Sequence, residues 1–479
     1  MMEVGQVVRH PRYGRGLVHA VRKAGYEIMV DFDCQLRLWL RADQVRSPGA
    51  LPPQPENTAL LESEEIIDRI MGRVYEGKSK KKIAPSVLPS RVAPLNGKPE
   101  FRDIRLAFEA FRLGIVPEHS IMEWTVGRRD ELKRVLGWLD DPASGSLVVE
   151  GAYGSGKSHT MAVLKVQALD RGWAVCNVGI DPSDAPAGFP KRVYRHAITS
   201  LRVPIDGEVL GLEQILERLC GRSDEAIRDH SIWSVISDLW RNRPKLRPAI
   251  LAYLRGRPIR RKLPGLPNLP DHTTSANVYC YLLSGLSVWL TEALGLQGMI
   301  LLIDEAEMSR TYRYRYEWQR GVNFFNGLAW VADDDDVLEN EVIERLDCFR
   351  GERSGLVYSG FLKVPYIYQI PCRFKVVFAF TPGYTRFFQH VHTDNLVRLD
   401  TPTREEVLRL FDRLLDAYKK VCAIGPVQPD LRQAAETLIA THGHSFRYLI
   451  KGFMELLDHR RFYPESHPDS LLMYAGGSF

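Results

Sequence analysis

The chain has 479 residues, 45% hydrophobic and 26% charged. That balance excludes a wholly disordered, collagen-like or disulfide-scaffold protein and leaves room for about three domains. Lys and Arg number 64 against 59 Asp and Glu, a net charge of +5, too small as a bulk figure to argue for a nucleic-acid binder. The seven cysteines are scattered with no C-x-x-C pair, which fits free thiols in a reducing cytoplasm. The N-terminal residues lack the apolar stretch of a signal peptide, and no run approaches the roughly 18 apolar residues of a membrane span. A cytoplasmic protein with no membrane segment is the expectation.

In chain order, residues 1–48 are predicted to form a small all-β barrel. The stretches VGQVVRHPRYGRGLVHAV and YEIMVDFD alternate apolar and polar residues and are rich in β-branched ones. Gly14 and Gly16 flank Arg15 at an expected tight turn, Gly25 marks a second turn, and Leu36, Leu38 and Leu40 alternate again. Arg9, His10, Arg12 and Arg15 cluster on the first hairpin. Residues 49–100 are a proline-rich linker with one helix expected near Leu60 to Tyr75, followed by a knot of Lys78, Lys80, Lys81 and Lys82.

From residue 101 to about 400 helical patterns alternate with short apolar runs at Leu147–Glu150, Ala174–Ile180, Met299–Ile303 and Phe374–Phe380. Buried runs separated by helices predict a parallel α/β sheet. The tail, residues 401–479, is helical, with 3.6-residue spacing in EEVLRLFDRLLDAYKKV and FRYLIKGFMELLDH. The acidic run Asp333 to Asp336 is expected in an exposed loop.

The most specific motif is GAYGSGKS at residues 151–158, a match to G-x-x-x-x-G-K-[ST] with an apolar strand before it and a helical pattern after it. Its glycines let backbone N–H groups face phosphates at a helix N-terminus. Gly151, Gly154, Ser155, Gly156, Lys157, Ser158 and His159 form the expected nucleotide-binding set. Lys157 reaches the β- and γ-phosphates, and the Ser158 hydroxyl takes Mg²⁺. The second half of the site is MILLIDEAE at 299–307, a hydrophobic strand ending in acid. Asp304 is expected to hold Mg²⁺ and Glu305 to polarise the attacking water. An intact glutamate there implies ATP hydrolysis rather than passive binding.

VGRRDEL at 126–132 resembles the box that opens the ATPase domain of AAA+ proteins of the origin-recognition type and of STAND regulators. The resemblance implies an AAA+-like P-loop sheet with a helical lid. It assigns Val126 and Gly127 to the adenine side, Thr381 to the sensor-1 position after the strand Phe378–Thr381, and Arg447 in HGHSFRYLI to sensor 2. FEAFRLGIVPEHSIMEWTVGRRDEL, VVEGAYGSGKSHTM and LLIDEAE together resemble the ATP-binding proteins of BREX bacteriophage-defence systems, over roughly residues 101–460. About 145 residues separate Lys157 from Asp304, long for a compact AAA+ core, so a helical insertion near 190–290 is expected. A trans-acting arginine finger is not obvious, with Arg310 and Arg386 as candidates. GQVVRHPRYGRGLV…VDFD resembles the Tudor-like module of UvrD/PcrA-type helicases, which implies an interaction module for DNA, RNA polymerase or a partner protein.

Charge is unevenly spread. Arg241 to Lys262 holds nine Lys or Arg and no Asp or Glu, leaving −4 for the rest of the chain. Arg241, Arg243, Lys245, Arg247, Arg255, Arg257, Arg260, Arg261 and Lys262 are candidate phosphate contacts, and an acidic protein partner or packed arginine stems remain open for them. In RTYRYRYEWQR (310–320) Arg313 and Arg315 interleave with aromatics that either stack on bases or face the core. The leading expectation is an ATPase that acts with DNA and other proteins of a prokaryotic defence system, possible helicase, nuclease or methyltransferase partners included, and forms a homo-oligomer. A STAND-like nucleotide-switched scaffold and a helicase loader are the alternatives.

Overall fold

The alternation in the N-terminal segment folds into strands β1 (Val7–His10), β2 (Gly14–Arg22), β3 (Glu27–Phe32) and β4 (Arg37–Arg41). The computed structural model describes residues 4–10, 14–22, 27–32, 37–41, 99–220, 225–259, 262–269, 276–307, 315–333, 338, 351, 353–356, 368, 371–383, 395–422, 429–443 and 445–464. The four strands make an antiparallel meander paired in order β1-β2-β3-β4. Val8, Val18, Ile28 and Val30 supply its buried face, as period-two alternation requires. The β2–β3 register shifts between Val18 and Ala20, a bulge that bends the strand and resets which side chains point inward. One expectation is corrected here. Arg15 and Gly16 pair with Arg9 and Val8 inside the β1–β2 ladder, so they are strand residues and not the turn. Gly25, Leu36, the expected linker helix and the lysine knot lie outside the described residues, as do Arg12, Arg310, Arg313 and Arg386.

The chain divides into two compact units, Met1–Pro94 and Leu95–Phe479. In the second, the apolar runs become strands β5 (Ser146–Glu150), β6 (Trp173–Gly179), β9 (Gly298–Asp304) and β10 (Phe374–Phe380) of one parallel sheet. A short strand, β11 (Leu396–Arg398), completes the order β11-β5-β10-β9-β6. The fold is α/β with a five-stranded parallel sheet, β5 and β9 lying on either side of β10. Phe380 pairs with Glu150 and Phe378 with Ile303, so the residues after β5 and β9 emerge at the same carboxyl edge, where open α/β sheets bind ligands.

Both faces of the sheet are covered. Leu147, Val149, Ile300, Leu302, Val377 and Ala379 pack on α2 (Arg129–Asp140) and α3 (Lys157–Asp170). Val148, Leu301, Ile303, Val376, Phe378 and Phe380 face the other way, into the largest core. That core is built by the segment between β6 and β9: α4 (Pro190–Ser200), the hairpin β7 (Val203–Ile205) and β8 (Glu208–Leu210), α5 (Leu212–Leu219), α6 (Trp233–Asn242), α7 (Arg247–Leu254) and α8 (Ala276–Leu294). Helix α9 (Arg315–Ala332) joins it after β9. Just beyond α9, Asp333 accepts hydrogen bonds from Ser146 N (2.7 Å) and Ser146 Oγ (2.8 Å). The first residue of the acidic run thus tethers the start of β5 instead of standing free in solvent.

Lys375 is buried on β10, and its ammonium donates to Trp138 O, Asp141 O and Ser144 O, a cation closing the carbonyl end of α2. The C-terminal helices α10 (Arg404–Val421), α11 (Pro429–His442) and α12 (Phe446–Phe462), termed the lid after the expectation above, have their own core. A capping box starts α10: Glu406 N donates to Thr403 Oγ1 (3.3 Å) and Thr403 N to Glu406 Oε2 (2.8 Å). Helix α1 (Pro99–Leu113) contributes Ala107, Phe108 and Phe111 to this lid core, although it stands some three hundred residues upstream in the sequence. Arg112 and Asp458 lock the two segments through paired bonds of 2.8 Å, with Tyr418 donating to the same carboxylate at 2.6 Å.

Candidate nucleotide site

The loop between β5 and α3 takes its shape from glycine. Gly154 (φ 78°) and Gly156 (φ 100°) are left-handed, a conformation that costs a side-chain-bearing residue about 1 kcal/mol or more. Gly151 is required for space, since a Cβ there would lie 2.3 Å from Ser155 Oγ. The Lys157 ammonium folds back over the loop and donates to Gly151 O (2.8 Å) and Ala152 O (3.2 Å). Burial pushes its pKa below the ordinary lysine value, while the charges of Glu307, Asp304 and Glu305 oppose that shift.

Tyr153, Gly154, Gly156, Lys157, Ser158 and His159 line a cleft of about 210 Å³ together with Asp304, Glu305 and Glu307 from the end of β9 and Arg447 from the lid. Glu305 is left-handed at φ 53°, an uncommon conformation for a residue with a side chain, and its N–H donates to Asp304 Oδ1 at 2.9 Å. Partial burial raises the Glu305 carboxyl above the ordinary glutamate value. Asp304 and Glu307 raise it further, and Arg447 and Lys157 oppose them.

The apolar end of the cleft is formed by Phe111, Ile115, Val116, Pro117, Trp124, Leu410, Phe446 and Ile450. The segment quoted for its sequence resemblance, Gly114 to Pro117, is therefore a wall of the site. Val126 packs partly buried against the lid core. Gly127 (φ 62°) lies against Glu406, whose Cδ would be 2.4 Å from a Cβ there. Neither residue lines the cleft. Thr381 directly follows β10, whose last carbonyl, Phe380 O, accepts from Gly151 N at 3.0 Å; Thr381 itself stands outside the lining.

His159 is held by Thr125. The Thr125 hydroxyl donates to Ile121 O (2.8 Å), so at its 2.8 Å contact with His159 Nε2 it accepts. The ring is then neutral with its proton on Nε2, in keeping with a pKa pushed down to about 4 by burial and by Arg128. The lid touches the loop directly. Phe446 N donates to Gly154 O at 3.2 Å, buried Ser445 backs onto Gly154, and the Arg447 guanidinium lies 5.9 Å from the Tyr153 ring centre.

Sequence reading missed Arg128, although it belongs to the VGRRDEL box. Its side chain is 6% exposed and donates to Ser155 O in the loop and to Glu131 Oε1 at 2.7 Å. Nothing in the sequence spacing marks it, because its acceptor, Ser155 O, lies 27 residues away.

The candidate nucleic-acid residues separate by environment. Arg247 donates to Trp240 O (3.1 Å) and stacks over its ring at 5.1 Å. Arg255 faces Glu213 at 3.9 Å, and Arg241 approaches Ser237 Oγ at 3.4 Å. Arg243, Lys245, Arg257 and Lys262 are exposed. Three of these four line one groove of about 480 Å³, floored by Leu246, Ala249, Leu263 and Pro264. Arg260 and Arg261 lie outside the described residues, and Arg315 opens α9.

Residues 101–237 match the family model described as BREX system ATP-binding protein BrxC/D. That description names ATP as the family's ligand. The matched segment contains the P-loop, its helix α3 and the lead-in walls at 114–117 and Trp124. A search of curated proteins finds no match. Among solved structures, a chain in the structure of Drosophila ORC bound to DNA is similar with a TM-score of 0.35 and 11% identity, covering 87% of this chain and 74% of that one. That likeness is too slight to bear on function. No helix among the described residues is long and apolar enough to cross a membrane.

Proposed function

We propose that the chain is an AAA+-like ATPase of a prokaryotic BREX-like defence system, hydrolysing ATP and acting with DNA. The observation that carries this reading is the meeting of Lys157, Asp304, Glu305 and Arg447 in one cleft. The loop amides and Lys157 hold the β- and γ-phosphates. Trp124 and the connection through Val126 and Gly127 serve the adenine side. Ser158 and Asp304 are the residues that would hold Mg²⁺. Bound there, Mg²⁺ neutralises phosphate charge.

Glu305 accepts a hydrogen bond from the attacking water. As the water oxygen bonds to the γ-phosphorus, the bond to the bridging oxygen breaks, ADP leaves, and the water proton passes through the carboxylate to solvent. Arg447 contacts the γ-phosphate, Thr381 adds a polar group at the end of β10, and the lid reports nucleotide state through its contact with the loop.

The DNA contact is placed on Arg243, Lys245 and Lys262, with Arg257 beside them in sequence. Other defence proteins, the N-terminal module's partner and a homo-oligomer belong to the same proposal. The test is steady-state phosphate release together with nucleotide affinity. Lys157→Ala is expected to abolish ATP binding. Glu305→Gln is expected to keep binding while hydrolysis falls at least about 100-fold. Equal hydrolysis by wild type and Glu305→Gln would sink the mechanism.

The docking of α12 on Gly154 O favours one second reading, a nucleotide-switched scaffold with slow turnover; loading of a helicase is a third. Mass photometry with a slowly hydrolysed ATP analogue separates them, since nucleotide-dependent assembly without DNA supports the switch.

A further inference from the structure

Arg128 is one of the few buried cations among the described residues, and no step of the hydrolysis described above uses it. Its backbone is the N-cap of α2, with Leu132 N donating to Arg128 O at 2.9 Å. Its guanidinium is divided between two acceptors. One nitrogen donates to Glu131 Oε1 at 2.7 Å and another to the carbonyl of Ser155. Backbone and side chain are thus both fixed before the loop is touched, and the second nitrogen is presented at a set place.

The carbonyl it holds belongs to the Ser155–Gly156 peptide. A trans peptide is planar, with its C=O and N–H pointing in opposite directions. Arg128 does not line the cleft, whereas Gly156 does. Drawing Ser155 O toward Arg128 therefore turns Gly156 N–H the other way, toward the phosphates. Gly156 has freedom to turn, being left-handed at φ 100° and free of a Cβ, so the loop sequence alone does not fix the orientation of this plane. Buried Ser155 Oγ has no hydrogen-bond partner and offers no substitute tether.

We propose that Arg128 is a positioning residue for the P-loop: it sets the Ser155–Gly156 peptide so that the Gly156 amide faces phosphate, without itself touching nucleotide. The proposal rests on the ATP reading of the cleft. It also explains why a forked donor is needed. A lysine ammonium reaches one acceptor well but cannot hold Glu131 and Ser155 O in one rigid plane.

The experiment compares wild type with Arg128→Lys and Arg128→Gln in the full chain. Equilibrium fluorescence measures binding of ATP, ADP and GTP analogues, and tripolyphosphate is measured by competition; melting without ligand checks folding. Arg128→Lys keeps the charge and serves if the glutamine variant fails to fold. The expected result is a loss of roughly 10- to 100-fold, the worth of one charge-assisted hydrogen bond. It falls equally on ATP, ADP and tripolyphosphate, is smaller for lysine than for glutamine, and leaves the ATP-to-GTP ratio unchanged. In turnover, KM rises with kcat within twofold. The proposal is overturned if folded Arg128→Lys and Arg128→Gln bind all four within twofold of wild type. It is also overturned if tripolyphosphate is unaffected while ATP weakens, which would make Arg128 a base contact. Wild type failing to bind both ATP and tripolyphosphate would instead sink the ATP reading itself.

Discussion

Two side chains show how tightly the site and its surroundings constrain single residues. Gly151 has no room for a methyl group, because Ser155 Oγ would sit 2.3 Å and Leu399 Cβ 3.1 Å from it. Gly151→Ala is expected to weaken nucleotide binding at least about tenfold, since something in the loop must shift. Adding Ser155→Ala removes the nearer atom and should recover part of the loss; nucleotide titration of both variants checks it, and an additive double variant would contradict the steric account. His230 makes a different point. Its Nδ1 accepts from Trp233 N (3.1 Å), its Nε2–H donates to Tyr281 O (3.1 Å), and the ring stacks on Tyr281 at 3.8 Å. Burial pushes its pKa down to about 4. The folded state therefore favours the neutral ring, so this contribution is complete above the unfolded value near 6.5 and is lost as pH falls toward 4, on the order of 3 kcal/mol in all. His230→Gln keeps one acceptor and one donor without titrating. Urea midpoints from pH 7.5 to 4.5 should fall less steeply for the variant, and equal slopes would remove His230 from the account.

At the scale of elements, the lid is joined to the P-loop by backbone as well as side chain. Phe446 N–H holds Gly154 O, and Arg447 lies over Tyr153. If Arg447 meets the γ-phosphate as proposed, Arg447→Ala should lower ATP affinity and kcat about tenfold or more while ADP affinity changes little. Equal losses for ATP and ADP would assign Arg447 to general packing. The long apolar strands and the P-loop were legible in the sequence because a fully buried parallel strand is a continuous apolar run and the loop motif demands glycines at fixed spacing. Other elements left no such trace. Strand β11 has three residues, of which only Val397 is buried, and the β7–β8 hairpin is equally short. Helix α1 was readable as a helix, but not as part of the lid core, because packing between distant segments has no local period. The same limit hid Arg128: nothing in its spacing reveals that its acceptor is Ser155.

For the molecule as a whole, the basic stretch matters through its arrangement and not its count. Arg241, Arg247 and Arg255 are engaged within the protein, whereas Arg243, Lys245 and Lys262 border a single groove. If these three meet phosphates, log affinity for duplex DNA should fall with log salt at a slope of roughly −2.7 from this groove. Reversing all three charges to Glu should flatten the measured slope by about that amount and leave ATP binding intact. An unchanged slope would place the DNA contact elsewhere.

The strand order also governs when this site can exist during synthesis. Among the described residues β5 pairs only with β10 and β11, as Ser146↔Val376 and Val148↔Leu396 show. The strand that leads into the P-loop therefore has no neighbour until the ribosome has passed residue 380. At about 5–20 residues per second that delay is on the order of ten to fifty seconds. The core built by the helices between β6 and β9 also waits for that point, since Phe374, Val376, Phe378 and Phe380 of β10 belong to it. The cleft above this sheet is consequently one of the last things the growing chain acquires, and a ribosome stalled before β10 holds a nascent chain that carries the whole P-loop motif yet cannot close the sheet beneath it.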